Sequence, residues 1–519
     1  MKKICADSAI QILHLYPSLQ QCPHCLSPLR ERYRKRRLIL QLQRQLQTIS
    51  HFLYCPNLSC SLHSATYRPE QEDTLALRGY HFGLDVVARI GQLRFTDHLP
   101  ITEIARRLNN APPFSISVKE VALLCEVFLA LVNTAVSADA AYIAQLKALG
   151  QIILSIDGVQ PEKGNETLYI LREVQTGRVL VARNLSSSSR SEIEHLIAEV
   201  LALGIPIKGV VSDKQESLRR AIECQLPGVA HQLCHFHYLR DLAQPISEAD
   251  RGLKKELRKR LRGLREIERS AEKVAEREAE VTKDYCLAIR EVMRNDGKYP
   301  LEPPGVEIYQ RLDEIKRSVK RAERASASKL LSRVEKRLEV LSEYRDEYRQ
   351  VSKACEQIQQ VAHLLNEAEE ETDPQAELGK QIKHIQRMRS LPAEWRDHMA
   401  KITTSFAPQL FAYLEEPALP RTNNDLEVFI GQMKKARRQA TGRKNTQEYI
   451  LREGQYVAVL YGIAGSRNWV EEFARVDREE FKRKLRELRR STERSKCWRI
   501  RRDLKSYLED LEGRWRSVE

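Results

Sequence analysis

The stretch Gln151-Ile-Ile-Leu-Ser-Ile-Asp-Gly158 decides the fold class. It is a short apolar run that ends in an aspartate and a glycine, which is typical of a buried β-strand followed by a turn. Working outward from it, the apolar patterns predict the order β-β-β-α-β-α-β. The further strands fall at 167–174, 178–182, 207–211 and 229–233, and the helices at 192–203 and 216–224. This order predicts an α/β fold built on a mixed sheet.

Two acidic residues follow strands of the predicted sheet. Asp157 ends the first strand and Asp213 follows the fourth, and we expect these two strands to be neighbours. Carboxylates at one sheet edge suit Mg²⁺, which prefers oxygen ligands, and two such ions about 4 Å apart assist phosphodiester chemistry. The third carboxylate must come from later in the chain, where Glu427 is the candidate and Asp425 stands close by. The alternative is that each aspartate is an ordinary turn or cap residue.

A long segment without strand patterns lies between the second and third acids. From 238 to about 370, apolar residues recur at three- and four-residue steps, most clearly over 334–365. This pattern predicts an all-helical insertion, which we interpret as a coiled-coil-like helical hairpin broken at 295–305. The charge run at 254–280 is typical of a solvated helix face. A final helix begins near Asn424, and its basic residues are predicted to contact DNA: Lys434, Lys435, Arg437, Arg438, Arg443 and Lys444.

Two cysteine pairs lie near the N-terminus. They are Cys22-x₂-Cys25 and Cys55-x₄-Cys60. Zinc takes four N or S ligands in tetrahedral geometry, and pairs on tight turns supply them, so we predict a structural Zn²⁺ site. The interval between the pairs is long enough for a basic helix at 30–46. The alternative is that the two cysteine pairs are unrelated and bind no common metal. His24, His51 and His63 are alternative zinc ligands that we rank below the four cysteines.

Three helices are predicted between 82 and 132, in the manner of a helix-turn-helix domain. The third helix opens with a capping box from Ser117 to Glu120 and carries Lys119, so it is the candidate for reading the major groove of DNA. A plain helical spacer is the alternative, because this helix carries few other basic residues.

Composition narrows the function classes. The 519 residues carry 86 Lys and Arg against 71 Asp and Glu, a net charge of +15, so nucleic acid is the first partner to consider. We recognise no apolar run of the length of a spanning helix and no signal-peptide pattern, and we expect no membrane association. Eleven cysteines, an odd number in a long chain, favour metal ligands or buried thiols over a disulfide framework.

The ordered motifs resemble those of the DDE transposases, and more narrowly the Mutator-like supergroup with its bacterial insertion-sequence relatives. The matching motifs are Asp157-Gly158, Asp213 after a strand, Cys234-x₂-His237 and Asn424-x₂-Glu427, with the basic run after them. The resemblance covers roughly 150–464 and implies an RNase H-like catalytic fold with a long helical insertion. It implies that two Mg²⁺ ions, with Mn²⁺ as a substitute, are held by three acids, and that three further residues support the site. The acids are Asp157, Asp213 and Glu427, and the supporting residues are Cys234, His237 and Asn424.

The resemblance implies a DNA transposase that hydrolyses the phosphodiester at element ends and transfers the freed 3′-hydroxyl to target DNA. Double-stranded DNA would be the partner, a homodimer or larger assembly would form on it, and the protein would be cytoplasmic and nucleoid-associated in a bacterium. The alternatives are a non-catalytic DNA-binding regulator derived from a transposase and an RNase H-like nuclease. The expected segments are a zinc-binding domain (1–70), a helix-turn-helix domain (80–140), the first part of the catalytic core (150–240), a helical insertion (241–415), the last part of the core (416–465) and a charged helical tail (466–519).

Overall fold

The structure is a computed structural model that describes residues 10–110, 115–137, 139–161, 164–271, 276–366, 373–463, 467–490 and 500–516. The chain divides into two compact units. Unit 1 comprises Met1–Lys208, Ser217–Pro227 and Asp425–Glu519, and unit 2 comprises Gly209–Glu216 and Gly228–Asn424. The fold is mixed α/β, with two mixed sheets and many helices.

The first sheet is formed near the N-terminus, in unit 1. Its strands are β1 (Ile10–Leu15), β2 (Arg30–Leu40), β3 (Gln45–Tyr54) and β4 (Thr66–Tyr67). The order is β1-β3-β2, with β1 parallel and β2 antiparallel to β3, and the short β4 also pairs with β3. The predicted basic helix at 30–46 is therefore wrong. The cations of β2 lie on a largely exposed strand whose pairing with β3 supplies the backbone hydrogen bonds that a helix would have made internally.

Five helices follow the first sheet: α1 (Glu72–Leu75), α2 (Leu84–Gly91), α3 (Ile101–Asn109), α4 (Val118–Ser137) and α5 (Ala140–Ala148). The capping box before α4 is present, because Glu120 N–H donates to Ser117 Oγ at 3.2 Å and Ser117 N–H donates to Glu120 Oε2 at 3.0 Å. By length and composition α4 is apolar enough to cross a membrane, contrary to the sequence expectation, but 61% of its apolar window is buried. It is a core helix of unit 1.

The burial of α4 bears on the predicted helix-turn-helix. Its residues from Val127 to Val132 are all buried in the core of unit 1, whereas Val118, Lys119 and Leu123 near its start are exposed. The three helices exist where the sequence predicts them, but most of the third helix faces protein. Its reading of DNA stays a prediction.

The second sheet has the predicted order of elements. Its strands are β5 (Ile152–Val159), β6 (Thr167–Glu173), β7 (Val179–Leu185), β8 (Ile207–Ser212) and β9 (Ala230–Leu233), and its helices are α6 (Arg190–Leu201) and α7 (Glu216–Gln225). The strand order is β7-β6-β5-β8-β9. Strands β5, β6 and β7 are antiparallel, with Asp157 opposite Ile170, whereas β8 and β9 are parallel, with Ser212 opposite Leu233.

The helices of unit 2 correct the predicted hairpin. They are α8 (His235–Leu242), α9 (Gln244–Arg260), α10 (Leu264–Ala271), α11 (Glu276–Val292), α12 (Pro304–Ala325), α13 (Lys329–Leu338), α14 (Arg345–Asn366), α15 (Pro374–Arg387), α16 (Ala393–Phe406) and α17 (Ala412–Glu415). The break at 295–305 is confirmed, but the apolar seam belongs to several shorter helices around a shared core that includes Leu257, Leu312 and Val334. The predicted end of this segment, 367–370, lies outside the described residues.

The last helices belong to unit 1. They are α18 (Asn424–Thr441), α19 (Gln447–Tyr461), α20 (Trp469–Arg475), α21 (Arg478–Arg490) and α22 (Leu504–Arg516). The predicted start near Asn424 is confirmed. Helix α19 packs on β6 and β7, where the Asn184 side chain donates to the Leu451 carbonyl at 2.7 Å. Helix α18 ends at Thr441 and is followed by Gly442, whose φ of +67° is a left-handed conformation that favours glycine.

Candidate functional site

The four predicted zinc ligands converge in the N-terminal part of unit 1. The Sγ atoms of Cys22, Cys25, Cys55 and Cys60 all lie within 4.8 Å of one another, and Cys22 and Cys55 are fully buried. Sγ of Cys22 is 3.8 Å from Sγ of Cys60, and Sγ of Cys25 is 3.5 Å from Sγ of Cys55. A zinc ion about 2.3 Å from four tetrahedral sulfurs would hold them about 3.8 Å apart. The cluster therefore fits a metal ion such as zinc.

Tight turns after the strands produce this convergence. Cys22 and Cys25 lie on a loop that an isolated bridge between Gln21 and Pro28 closes, and Leu26 within it takes a positive φ of 57°. Cys55 follows β3 directly. The two pairs differ electrostatically, because a hydrogen bond with Ser27 lowers the pKa of Cys25 to about 6 whereas burial raises the pKa of Cys55 to about 12.

Asp157 lies on β5 rather than at its end, because the strand continues to Val159. Its side chain is only 8% exposed, and its Oδ1 accepts the N–H of Gly158 at 2.7 Å. The glycine is required sterically, since a Cβ at this position would lie 2.9 Å from the ring of Tyr169. The Asp-Gly pair thus places a nearly buried carboxylate on the sheet with an aromatic ring against the next residue.

Asp213 follows β8 directly and belongs to unit 2. Its Oδ1 accepts the Gln215 N–H at 3.0 Å, and burial raises the pKa of the Asp213 carboxyl, an effect that nearby Arg240 opposes. The preceding Ser212 is fully buried, and its hydroxyl lies 2.8 Å from Nε2 of His231. This contact between the ends of β8 and β9 fixes the backbone from which Asp213 projects.

Cys234 and His237 stand at the start of α8, in unit 2. Cys234 is fully buried and its N–H donates to the Ser212 carbonyl at 2.9 Å, which continues the pairing of β8 and β9. One turn later the imidazole of His237 is 7% exposed, and burial lowers the pKa of this histidine to about 4. At neutral pH this imidazole is therefore uncharged, and a ring nitrogen keeps its lone pair.

Glu427 and Asp425 differ in their surroundings within unit 1. Both lie in the first turn of α18, where acidic residues favour the helix dipole. Asp425 and Asn424 are exposed, whereas Glu427 is half-buried. The guanidinium of Arg172 donates to the Asp425 carbonyl oxygen at 3.3 Å. The more buried environment favours Glu427 over Asp425 as a residue of an enclosed site.

The basic residues of α18 and the loop after it are not equivalent. Four of the six are exposed: Lys435, Arg438, Arg443 and Lys444. Arg437 is half-buried, with its guanidinium 4.9 Å from the Tyr449 ring centroid and 3.9 Å from the Glu453 carboxylate. Lys434 is also half-buried. The exposed four are the better candidates for contact with DNA, and Arg437 has a packing role.

The structure thus assembles the four cysteines. Asp213 follows a strand as predicted, whereas Asp157 lies within β5, and Arg443 and Lys444 lie beyond the end of α18 rather than on the helix. Sequence reasoning gave no role to Asn423, a buried residue whose N–H donates to Cys234 Sγ at 3.3 Å. No local pattern indicates this contact, because the partners are 189 residues apart.

Comparison with known proteins gives one informative match. Residues 189–298, which include Asp213, Cys234 and His237, match the model of the transposase family described as "Transposase, Mutator family". Among solved structures, the Drosophila P element transposase strand transfer complex is similar with a TM-score of 0.29 and 8% identity, over 76% of this chain and 92% of that one. A TM-score this low does not establish a shared fold. No curated protein matches the chain. The segment 189–298 is therefore similar to the transposases of the Mutator family.

Proposed function

We propose that the protein is a DDE-type DNA transposase that cleaves the ends of its element and joins them to target DNA. The observation that carries this proposal is the Mutator-family match over 189–298, which contains Asp213 and the Cys234-x₂-His237 motif. The strand order β7-β6-β5-β8-β9 supports the RNase H-like fold that the motifs imply. The long helical segment after His235 takes the position of an insertion in that fold.

In this proposal Asp157, Asp213 and Glu427 bind two Mg²⁺ ions, for which Mn²⁺ can substitute. Oxygen donors from carboxylates are the ligands that these cations prefer. Bound there, the ions would activate the attacking oxygen and stabilise the leaving oxygen of an in-line displacement. Asp157 is buried and Asp213 is half-buried, and such partly enclosed carboxylates support this role.

The protein side chains position the DNA for two successive displacements. Water first attacks the phosphodiester at the element end and releases a 3′-hydroxyl, and that hydroxyl then attacks a phosphodiester of the target. The exposed cations after the Glu427 helix, Lys435, Arg438, Arg443 and Lys444, would neutralise backbone phosphates. Cys234, His237 and Asn424 would support the site by fixing the start of α8 and of α18.

The cysteine cluster is proposed to hold one structural Zn²⁺. Four thiolates leave no open position for a substrate, which is the arrangement of structural rather than catalytic zinc. The neighbouring β2 strand, with its exposed cations, would then be held in a fixed orientation for binding DNA. Lys119, at the exposed start of α4, would add a further contact.

A direct test is a cleavage assay with purified full-length protein, Mg²⁺ and a plasmid that carries the element's ends. We expect Mg²⁺-dependent nicking at the ends and, with longer incubation, strand transfer to a second plasmid. Complexes that pair two ends, resolved on native gels, would show the expected dimer or larger assembly. Binding without nicking would favour the second candidate, a DNA-binding regulator derived from a transposase, and nicking without transfer would favour a nuclease.

A further inference from the structure

A groove in unit 2, well away in sequence from the proposed catalytic residues, has a strongly basic lining. Its volume is about 620 Å³, and α9 supplies most of its wall. The residues that line it are Arg251, Lys254, Lys255, Arg258, Lys259, Arg262, Tyr299 and Pro304. We call this feature the α9 groove. Six of its eight lining residues are cations, and none is acidic.

The amphipathic pattern of α9 orients these cations outward. Leu253, Leu257 and Leu261 are buried in the helical core of unit 2, so the residues on the other side of the helix face solvent. Arg251, Lys255 and Arg258 follow one another at four- and three-residue steps, which keeps them on one face of α9, and Arg262 lies in the turn that follows the helix. Because a helix rises about 1.5 Å per residue, the row from Arg251 to Arg258 is about 10 Å long.

Buried hydrogen bonds hold the opposite wall of the groove. The carboxylate of Asp250, fully buried, accepts the N–H groups of Gly305 and Val306 at 2.8 Å each and the Tyr299 hydroxyl at 2.6 Å. The guanidinium of Arg251 lies 4.7 Å from the centroid of the Tyr299 ring. The wall opposite α9 is therefore fixed to the helix by contacts that do not depend on a ligand.

Nearby acids only partly neutralise the groove. Asp296 lies 2.9 Å from Lys254 and 3.7 Å from Arg258, and Glu256 lies 4.0 Å from Lys259. Six cations less these two carboxylates leave four positive charges along α9 and the turn that follows it. Like charges at adjacent helical positions repel one another, so binding of an anion would relieve this repulsion.

We propose that the α9 groove binds the sugar-phosphate backbone of duplex DNA. A row about 10 Å long, extended by Arg262 in the next turn, matches at least about three phosphates of one strand, since the rise per nucleotide is about 3.4 Å. A single small anion would neutralise only one part of such a row. The groove offers positive charge and an aromatic ring but few groups that would select a base, so the contact should be independent of sequence. The choice of DNA as the ligand of the α9 groove rests on the proposed function of the protein as a DNA transposase.

The test compares two triple variants of the full-length chain. In the groove variant, Lys255→Gln, Lys259→Gln and Arg262→Gln remove three lining charges. In the matched control, Lys383→Gln, Arg387→Gln and Arg389→Gln remove three exposed charges of unit 2 at and just after α15. Both lower the net charge equally. Binding to a 20-base-pair duplex of arbitrary sequence is measured by fluorescence anisotropy without Mg²⁺, over a series of salt concentrations.

The groove variant is expected to bind the duplex at least about tenfold more weakly than the control. The slope of log affinity against log salt should fall by about two to three, because each lost phosphate contact removes roughly 0.9. Equal affinity and slope for the two variants would overturn the proposal. Loss of binding to polyglutamate with unchanged duplex binding would also overturn it, in favour of an acidic protein segment. An Asp213→Asn chain should bind the duplex normally, so failure of the catalytic proposal is distinguishable from failure of this one.

Discussion

The Sγ atom of Cys234 accepts the backbone N–H of Asn423 at 3.3 Å, although 189 residues separate them. Next to this contact, the His235 N–H donates to the Arg421 carbonyl at 3.0 Å. The long helical segment of unit 2 therefore begins and ends at one point. Because the first and last residues of this segment are in contact, the segment can be inserted into a sheet domain without displacing the elements before and after it.

Removing this thiol should loosen the closure. Cys234→Ala deletes a fully buried sulfur together with the acceptor for Asn423, so we expect the free energy of unfolding to fall by about 1–3 kcal/mol. Urea denaturation of the full chain measures this change. Cys224→Ala is the matched control, because Cys224 is exposed, and it should change stability by less than about 0.5 kcal/mol. An equal effect of the two substitutions would argue against a role for Cys234 in the closure.

The cysteine cluster should contain one zinc ion per chain. Elemental analysis of the purified protein measures this, and metal loading should release protons because the thiols bind as thiolates. Cys25→Ser should abolish stoichiometric zinc, whereas Cys224→Ser should not. The full chain is the right material, because Arg37 of β2 donates to Glu72 and to the carbonyl oxygen of Leu77, beyond the end of the predicted 1–70 domain. A folded wild-type chain without zinc would contradict the assignment.

The sequence predicts the second sheet well because its strands are short apolar runs, and burial on both faces is the cause of such runs. It fails for β2, because that strand carries six cations and is exposed over most of its length, so no alternation marks it. The apolar spacing over 334–365 also predicts one continuous helix, whereas a 3₁₀ turn at Glu339–Tyr344 separates α13 from α14. Contacts such as that of Cys234 with Asn423 depend on tertiary folding and leave no local pattern.

The three proposed acids should be distinguishable from their neighbour. We expect Asp157→Ala, Asp213→Ala and Glu427→Gln each to lower the rate of strand cleavage by about 10³-fold or more, about 4 kcal/mol of barrier, and to leave binding to element ends largely intact. Asp425→Asn is the control, because its side chain is exposed while Glu427 is half-buried. Normal cleavage by Glu427→Gln together with an inactive Asp425→Asn protein would assign the third acid to Asp425.

The buried carboxylate of Asp250 should be important for stability. Asp250→Asn replaces one acceptor oxygen by an NH₂ group that faces donors from Gly305, Val306 or Tyr299, so we expect a loss of about 2–3 kcal/mol. Gly305→Ala should also destabilise unit 2, since its Cβ would lie 2.4 Å from the Asp250 carbonyl oxygen. Thermal and urea unfolding report both effects. Asp296→Asn, whose side chain is 87% exposed, should have almost no effect.

The pH dependence of stability should reveal the buried histidines of α8. Burial, with a smaller contribution from neighbouring Arg421, lowers the pKa of His235 to about 4, and the hydrogen bond between the His235 ring and the Leu410 carbonyl at 2.8 Å opposes this shift. Rings of Phe411 and Tyr413 pack against it. Because the ordinary pKa of histidine is about 6.5, the unfolded chain binds a proton between pH 6.5 and 4 that the folded chain does not bind.

The sign follows from this difference in proton binding. The stability due to a neutral His235 is present above pH 6.5 and is lost as the pH falls toward 4, by up to about 3 kcal/mol. His237, whose pKa is also lowered to about 4 by burial, should add a similar loss in the same pH range. Urea unfolding at pH 7.5, 6, 5 and 4.5 measures the slope. His235→Gln should make it shallower, and exposed His195→Gln should leave it unchanged. If the His235→Gln protein keeps the slope of the wild type, His235 binds protons equally in the folded and unfolded chains, and burial does not lower its pKa.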